Sequence, residues 1–233
     1  FRSTLLNGTF HTSKYDVFTI YEPKEREIYR LPYFPDRILH HAIMNVLEPI
    51  WVSTFTADTY SCIKNRGIHA AAKKVKQALR EDPEGTTFCL KLDIRKFYPS
   101  INHDVLKSIL RRKLKDKRLL RLLDEIIDSA DGVPIGNYLS QYFANLYLTY
   151  FDHWIKEKKG VKYYFRYADD IVILASDKSY LHSLMGEIRA YLGDLKLEVK
   201  GNWQVFPVAA RGIDFVGYVF FHTHTRMRKG IKK

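Results

Sequence analysis

The stretch from Tyr163 to Ala175 carries two adjacent aspartates, Asp169 and Asp170, inside an otherwise apolar run. Aromatic and β-branched residues on both sides predict two strands, so the two charges fall at the turn of a hairpin. Two carboxylates ~4 Å apart repel each other by about 4 kcal/mol at an effective dielectric constant of about 20. Such a pair in apolar surroundings needs a positive charge, which a divalent metal ion supplies. The alternative is an ordinary Asp-Asp turn with both side chains in water.

The composition favours a globular protein that binds a polyanion. The chain has 233 residues, 46% of them hydrophobic, which is enough for a sizeable core in one large domain or two small ones. Its formal net charge of +12 predicts a nucleic-acid partner, and a generally basic protein is the alternative. No apolar run reaches the ~18 residues of a membrane span. The chain opens on Phe1 without a visible signal peptide, and Cys62 and Cys89 lack metal-ligand spacing. We therefore expect free thiols, no membrane association and a cytoplasmic location.

The hydrophobic periodicity predicts a mixture of strands and helices without strict βαβ alternation. Residues 17–33 are typical of a charged hairpin, and Asp36 has the position of a helix N-cap. The other predicted elements are helices at 39–50 and 68–80, a strand at 86–93, helices at 103–114 and 117–129, a long helix from Asn137 through Phe151, a helix at 178–193, and strands at 196–206 and 213–221. This pattern favours an α+β fold.

Asp93 ends the predicted strand at 86–93, and Asp169 and Asp170 join two other strands. If these strands are neighbours in one sheet, the three carboxylates meet at its rim. Such a cluster can hold two Mg²⁺ ions ~3.5–4 Å apart for in-line phosphoryl transfer. Mg²⁺ suits the site because it prefers a few carboxylates together with substrate phosphates. Taken alone, Asp93 is better explained as a strand-end acid that caps a turn.

Several motifs follow one another in a fixed order over nearly the whole chain. They are a strand aspartate with an aromatic residue five positions later (Asp93 and Tyr98), a glycine-containing helix start with Ser140-Gln141, Tyr-Ala-Asp-Asp at 167–170, and blocks at 23–28 with 36–38, 60–71 and 212–218. Their order resembles that of the reverse transcriptases. Several blocks in the correct order are far more specific than any one of them. The resemblance implies a ferredoxin-like polymerase palm, an antiparallel sheet backed by helices, together with a fingers region.

The resemblance also implies roles for individual residues. Asp93, Asp169 and Asp170 match the catalytic acids and metal ligands, with the Ile94 carbonyl as a backbone ligand for Mg²⁺, or for Mn²⁺ in its place. The residues that match nucleotide contacts are Lys24, Arg26, Tyr98, Ile135, Gly136, Ser140 and Gln141. Tyr98 matches the gate whose bulk excludes a 2′-hydroxyl, and core packing is its alternative. Lys24 and Arg26 match a phosphate clamp on the hairpin tip, and a solvated turn is their alternative.

The same resemblance implies a domain organisation and an activity. Fingers would take 1–85 with 111–136 as a second segment, the palm would take 86–110 and 137–221, and 222–233 would form a basic lead-in to a thumb, which the chain stops short of. The activity would be that of an RNA-directed DNA polymerase, a nucleotidyltransferase. Its partners would be a template RNA, a DNA or RNA primer and deoxynucleoside triphosphates.

The residues of the fourth block indicate which subfamily of reverse transcriptases the chain resembles. Most reverse transcriptases carry Gln-Gly and then Ser-Pro in the fourth block, whereas this chain has Ile135-Gly136 and Ser140-Gln141. That pattern resembles the enzymes of diversity-generating retroelements, which copy a template RNA with errors at adenines and work with a small basic accessory protein. A Gln amide can hydrogen-bond the nucleotide and Ile135 cannot, so selectivity should relax by ~1 kcal/mol. The alternative for Ile135 is simple packing on the core.

Other functions stay open at this point. A group II intron-like or antiviral-defence reverse transcriptase would share the chemistry, although the missing Gln-Gly and Ser-Pro argue against the intron type. An RNA-dependent RNA polymerase would share the palm, but Tyr98 argues against it. A catalytically inactive RNA-binding scaffold would not need Asp93, Asp169 and Asp170, because acids facing a polyanion weaken binding without a metal.

Overall fold

The structure, a computed structural model, describes residues 1–21 and 25–231. In these residues the strands are β1 (Asp16–Ile20), β2 (Arg26–Arg30), β3 (Phe88–Asp93), β4 (Tyr163–Tyr167), β5 (Asp170–Ala175), β6 (Gln204–Pro207), β7 (Ile213–Phe215), β8 (Tyr218–Phe220) and β9 (Thr225–Met227). The α-helices are α1 (Arg2–Asn7), α2 (Ile38–Val52), α3 (Ile68–Glu81), α4 (Phe97–Ser100), α5 (His103–Lys113), α6 (Lys117–Asp128), α7 (Tyr138–Tyr147), α8 (Thr149–His153), α9 (Lys178–Asp194) and α10 (Val208–Arg211). Shorter turns of π- or 3-10 helix lie at Tyr33–Arg37, Trp154–Lys158 and Lys229–Ile231. The mixture confirms the predicted α+β class.

The chain divides into two compact units. One consists of residues 1–54 and 96–148, and the other of residues 55–95 with those from 149 onwards. The predicted boundaries of fingers and palm cut across these two units and stay a prediction. No helix among the described residues combines the length and apolar character that crossing a membrane requires. Cys62 and Cys89 are both free thiols, as predicted.

The first unit carries the predicted charged hairpin. Strands β1 and β2 pair antiparallel, with Asp16 opposite Arg30 and Ile20 opposite Arg26. The segment ahead of α7 lies against this hairpin, because the Tyr29 amide donates to the Ile135 carbonyl at 2.8 Å. Gly136 has a φ of 121°, and a Cβ there would come within 2.8 Å of the Tyr29 carbonyl oxygen. Glycine therefore permits both the backbone conformation and the close approach to β2.

In the first unit, α7 packs on α2 and α5. Trp51 of α2 is buried, with its ring centroid 5.8 Å from that of Phe143. Helix α5 is basic, and Asp116, which follows it, caps α6 by accepting from the Arg118 and Leu119 amides. Lys107 of α5 pairs with Asp128 of α6 at 2.6 Å, so part of this positive charge is neutralised within the helix pair.

The second unit is built on an antiparallel sheet with strand order β4-β5-β3-β6. A smaller sheet, β7-β8-β9, and helix α3 form a hydrophobic cluster with one face of the large sheet. The cluster includes Cys89 and Val172 from the large sheet and Phe215 from the small one. Helix α9 contacts β3, β5 and β6 and buries Leu184 and Ile188. Because side chains alternate along a strand, Lys91 and Asp93 of β3 share the face of Cys89.

Four element predictions were wrong in detail. The strand predicted at 213–221 is a hairpin of two short strands, β7 and β8. Asp36 does not cap α2, because it is buried and its Oδ1 accepts from the Ser13 amide at 3.0 Å. The long helix from Asn137 is broken at Leu148 into α7 and α8.

The strand predicted at 196–206 begins only at Gln204, since Lys196 has a φ of 59°, which is incompatible with a strand. Residues 198–200 instead follow the end of β3, where the Lys200 amide donates to the Asp93 carbonyl at 2.9 Å.

Candidate active site

The pairing of β3 with β5 brings together the acids that the sequence singled out. Asp93 lies directly opposite Asp170, and the next amide along, that of Ile94, donates to the carbonyl of Asp169 at 3.2 Å. Directly opposed residues of antiparallel strands project from the same face of the sheet. The end of this strand pair therefore carries Asp93 and Asp170 side by side, with Asp169 in the adjoining turn.

The turn itself is a two-residue hairpin loop, Ala168-Asp169, closed by the pairing of Tyr167 with Asp170. Ala168 has a φ of 55°, whereas Asp169 does not have a positive φ. A positive φ at the first loop position alone matches a type II′ turn, which favours glycine at that position. An alanine there is strained, and strained backbone persists only where surrounding contacts hold it.

Two lysines balance the charge of the opposed carboxylates. The Lys91 ammonium contacts Asp170 Oδ1, and the Lys200 ammonium lies 3.7 Å from Asp93 Oδ1. The Lys91 side chain is 21% exposed, and its ammonium lies 5.0 Å from the Phe215 ring centroid. Burial lowers the pKa of Lys91 to about 8, against the opposing effect of the nearby Asp93 carboxylate. Sequence reasoning missed Lys91, although the alternation of 89, 91 and 93 already placed it on the face of Asp93.

The donor chemistry of this site fits a hard divalent cation. Asp93 and Asp170 supply carboxylate oxygens, which Mg²⁺ prefers, and their mutual repulsion is relieved by any cation between them. Residues 1–21 and 25–231 contain no group of three histidine, cysteine, aspartate or glutamate side chains arranged to hold a metal ion. At Asp170, the Lys91 ammonium contacts one of the two carboxylate oxygens. The set of metal ligands therefore stays a prediction.

A second charged cluster, which sequence reasoning also missed, lies beneath the turn. Arg166 of β4 and Asp152 of α8 are both fully buried and form an ion pair, with 2.6 Å between Arg166 Nη2 and Asp152 Oδ2. The signal in the sequence was an arginine inside the apolar run, but its partner lies 14 residues away in a helix. Tertiary packing alone brings the two together.

The residues predicted to contact the nucleotide lie in the first unit. Arg26 begins β2 and is exposed, whereas Lys24 lies outside the described residues. Tyr98 lies in α4 and is half-buried, with its ring centroid 5.7 Å from that of Phe97. Its carbonyl accepts from the Val133 amide at 2.9 Å, which ties α4 to the segment ahead of α7.

The fourth block spans that segment and the first turn of α7. Ile135 is half-buried, and its carbonyl accepts a hydrogen bond from the Tyr29 amide of β2. Gly136 is exposed. Ser140 is 3% exposed and Gln141 is exposed on the next position of α7. The hairpin and the fourth block are thus in direct contact, which the sequence pattern did not reveal.

Comparison with known proteins decides the family. Residues 22–220 match the family described as reverse transcriptase (RNA-dependent DNA polymerase). The chain belongs to the reverse transcriptase family. The protein YkfC of Escherichia coli K12 is 25% identical to it, over 97% of this chain and 71% of YkfC. The group II intron-encoded protein LtrA of Lactococcus lactis is 23% identical over 67% of this chain and 28% of LtrA.

Solved structures agree on the fold. A telomerase from Candida tropicalis in complex with the TWJ fragment of telomeric RNA superposes with a TM-score of 0.69 at 15% identity, covering 96% of this chain and 45% of the telomerase chain. The apo telomerase of the same organism gives a TM-score of 0.65 at 13% identity. These likenesses confirm the predicted palm-like fold, antiparallel sheets backed by helices. This chain spans less than a third of LtrA and about half of the telomerase chains.

Proposed function

We propose that this chain contains the catalytic centre of an RNA-directed DNA polymerase that uses Mg²⁺ held by Asp93, Asp169 and Asp170. The main support is the register of β3 and β5, which sets Asp93 opposite Asp170 in a member of the reverse transcriptase family. Two opposed carboxylates are unfavourable unless a cation lies beside them. A scaffold that only bound RNA would gain nothing from this pair, because carboxylates repel a polyanion.

The chain's own groups divide the work at this site. Asp93, Asp169 and Asp170 would hold the metal ions, with the Ile94 carbonyl as a further ligand. Bound Mg²⁺ would lower the pKa of the attacking primer hydroxyl and neutralise charge on the leaving pyrophosphate. In the metal-free chain, Lys91 balances the charge of Asp170 through their direct contact. This contact places a cation beside Asp170 at the end of the strand pair.

Nucleotide selection is assigned to the residues of the first unit. Tyr98 would pack under the incoming sugar and exclude a 2′-hydroxyl, so deoxynucleoside triphosphates would be the substrates. Lys24 and Arg26 would contact the triphosphate, and the exposure of Arg26 at the start of β2 supports this role. The template would be RNA.

The first test is primer extension on an RNA template by the full-length protein, comparing Asp169→Asn with the unchanged chain. The substitution removes one carboxylate charge from the metal site and should reduce extension at least about a hundredfold, while RNA binding stays largely intact. Asp194→Asn is the matched control, since Asp194 is an exposed acid at the end of α9. Extension by Asp169→Asn at the rate of the control would refute the metal site.

Within the family we place the chain with the enzymes of diversity-generating retroelements. The support is Ile135 in place of Gln and Gln141 in place of Pro in the fourth block. Ile135 is half-buried in the segment that contacts β2, where its side chain cannot donate a hydrogen bond to a nascent base pair. Such an enzyme would copy its template with errors at adenines and would use a small basic accessory protein as a partner.

Fidelity at adenine tests this placement. Ile135→Gln adds an amide that can restrain the nucleotide, and it should lower misincorporation opposite template adenine about fivefold, the equivalent of ~1 kcal/mol. Ile135→Val, which adds no hydrogen-bonding group, is the control and should leave the error spectrum unchanged. Sequencing of the extension products measures both. An identical error spectrum for all three proteins would contradict the role given to Ile135.

A second candidate is a reverse transcriptase of the group II intron type. It is favoured by the similarity to LtrA and to the nuclear intron maturase 4 of Arabidopsis thaliana, which is 27% identical over 64% of this chain. The two candidates differ in genomic context. A neighbouring pair of near-identical repeats that differ mainly at adenines would favour the first candidate, and a flanking intron RNA would favour the second.

A further inference from the structure

We propose that Arg166 is a positioning residue for the acidic turn. Through its buried pair with Asp152, it holds the carbonyl of Ala168 and so sets the orientation of Asp169 and Asp170. The inference rests on the proposed function, because Arg166 assists catalysis only if those two acids are catalytic.

The pair of Arg166 with Asp152 is built as a rigid fork. Arg166 Nε donates to Asp152 Oδ1 at 2.7 Å and Nη2 donates to Oδ2 at 2.6 Å, and neither side chain is exposed to solvent. Asp152 also accepts from the hydroxyl of Tyr164 at 2.5 Å and from that of Thr59 at 3.0 Å. A two-point contact between planar groups fixes the guanidinium in both distance and angle.

The remaining amino group of this guanidinium reaches the turn. Arg166 Nη1 donates to the carbonyl of Ala168 at 3.1 Å. That carbonyl belongs to the residue with the strained φ of 55°, and it immediately precedes Asp169. Arg166 therefore connects a fixed point in the core to the peptide that links Ala168 to Asp169.

The backbone of Arg166 is itself held on its outer side. Its amide donates to the Asp58 carbonyl, and its carbonyl accepts from the Tyr60 amide, each at 3.0 Å. On the other side, β4 pairs Arg166 with Ile171 of β5. Both the backbone and the side chain of Arg166 are thus immobilised, as a part that positions a turn requires.

Stability alone does not account for this cluster. Replacing a buried ion pair by apolar residues of similar volume is often neutral or stabilising. An arginine kept at this position is better explained by its geometry, since the guanidinium satisfies Asp152 and the Ala168 carbonyl at once. A lysine could pair with Asp152, but its single ammonium lacks the planar fork that spans both acceptors.

The experiment compares Arg166→Lys with the unchanged full-length chain in primer extension at saturating Mg²⁺ over a range of nucleotide concentrations. A displacement of the acids of the order of 1 Å should lower kcat about a hundredfold, with little change in KM for the nucleotide. Ala168→Gly relieves the strained φ, because glycine adopts it readily. The double variant Arg166→Lys/Ala168→Gly should therefore recover at least a tenth of the lost kcat. Arg189→Met, which removes an exposed arginine of α9, is the control and should behave as the unchanged chain.

Hydrogen–deuterium exchange gives a readout that does not depend on activity. The peptides covering 163–175 and the Ile94 amide should exchange faster in Arg166→Lys and return towards the unchanged rates in the double variant. An unchanged kcat in folded Arg166→Lys would overturn the proposal. A loss of kcat without recovery in the double variant would also overturn it, because Arg166 would then act through something other than the turn.

A milder variant covers the case in which Arg166→Lys does not fold. Thr59→Val keeps the charges of Arg166 and Asp152 but removes the hydroxyl that hydrogen-bonds to both side chains. It should therefore lower kcat less than Arg166→Lys does, and adding Ala168→Gly should restore the lost kcat. Failure of the proposed function is distinguishable from failure of this inference. If Asp169→Asn retained extension, the catalytic assignment would fall, while the exchange data would still report whether Arg166 orders the turn.

Discussion

Lys91 occupies the place beside two opposed carboxylates where the proposed mechanism requires a cation. Its contact with Asp170 and the approach of Lys200 to Asp93 explain how β3 and β5 can pair with Asp93 opposite Asp170 in a metal-free chain. Since like charges directly opposite each other destabilise a sheet, the lysine has a role in stability even before catalysis is considered.

This role of Lys91 leads to a prediction about metal and stability. Lys91→Met should lower the free energy of unfolding of the metal-free protein by about 1 kcal/mol, because the opposed carboxylates lose their nearest cation. Its Tm should fall accordingly. Addition of Mg²⁺ or Mn²⁺ should then raise the Tm more in the variant than in the unchanged chain, since metal no longer competes with the ammonium. Thermal denaturation with and without metal measures this difference.

The control for that measurement is Lys74→Met, which removes an exposed lysine of α3. It should change neither the Tm nor its response to metal. Equal metal-induced shifts in Lys91→Met and in the control would show that the ammonium and the metal do not share the carboxylates.

At the scale of single elements, α2 illustrates what the sequence could not reveal. The helix itself was predicted from its apolar spacing, and it spans Ile38–Val52. His40 on this helix is 2% exposed, and burial lowers its pKa to about 4, with Asp36 acting in the opposite direction. The N-terminal segment reaches Asp36, which is also buried and accepts from the Ser13 amide. A contact 23 residues distant along the chain leaves no local pattern.

The buried His40 predicts a dependence of stability on acid. The folded chain holds His40 neutral down to about pH 4, whereas the unfolded chain protonates it near pH 6.5. The unfolded state therefore binds more protons in this window, so His40 contributes to a loss of stability as pH falls from about 6.5 to 4. The loss should be at most about 3 kcal/mol.

Urea denaturation of the unchanged chain and of His40→Leu at pH 7 and pH 4.5 measures this contribution. The leucine variant should lose less stability between the two pH values, because it has no imidazole to protonate. His69→Leu, at the start of α3, is the control. An identical pH dependence in the unchanged chain and in His40→Leu would contradict the role of His40.

The strands of the candidate site were more predictable than its supports. Asp93 and the Asp169-Asp170 turn could be placed from sequence because each ends a short run of strand-forming residues. Whether they met depended on the strand order β4-β5-β3-β6, which periodicity does not contain. Two other contacts arise from tertiary packing and could not be predicted from the local sequence. They are the ion pair of Arg166 with Asp152 and the hydrogen bond from the Lys200 amide to the Asp93 carbonyl.

At the scale of the whole molecule, family membership and fold rest on different observations. The family rests on the match of residues 22–220, and the fold on telomerase structures at 15% identity or less among those compared. At these identities the likeness shows the fold alone, and the roles of Asp93, Asp169 and Asp170 need their own evidence. The fourth block, by contrast, departs from the pattern of most reverse transcriptases at Ile135 and Gln141.

The central claim, that Asp93, Asp169 and Asp170 hold the catalytic metal, is tested most directly by locating the metal. Fe²⁺ bound in place of Mg²⁺ reduces added hydrogen peroxide to hydroxide and a hydroxyl radical and is itself oxidised to Fe³⁺. The radical cuts nearby backbone, so peptide mapping reveals which segments surround the ion. We expect cuts near 93 and near 169–170 that excess Mg²⁺ suppresses and that disappear in Asp93→Asn. Cuts confined to other segments, or cuts at these segments that persist unchanged in Asp93→Asn, would contradict the account.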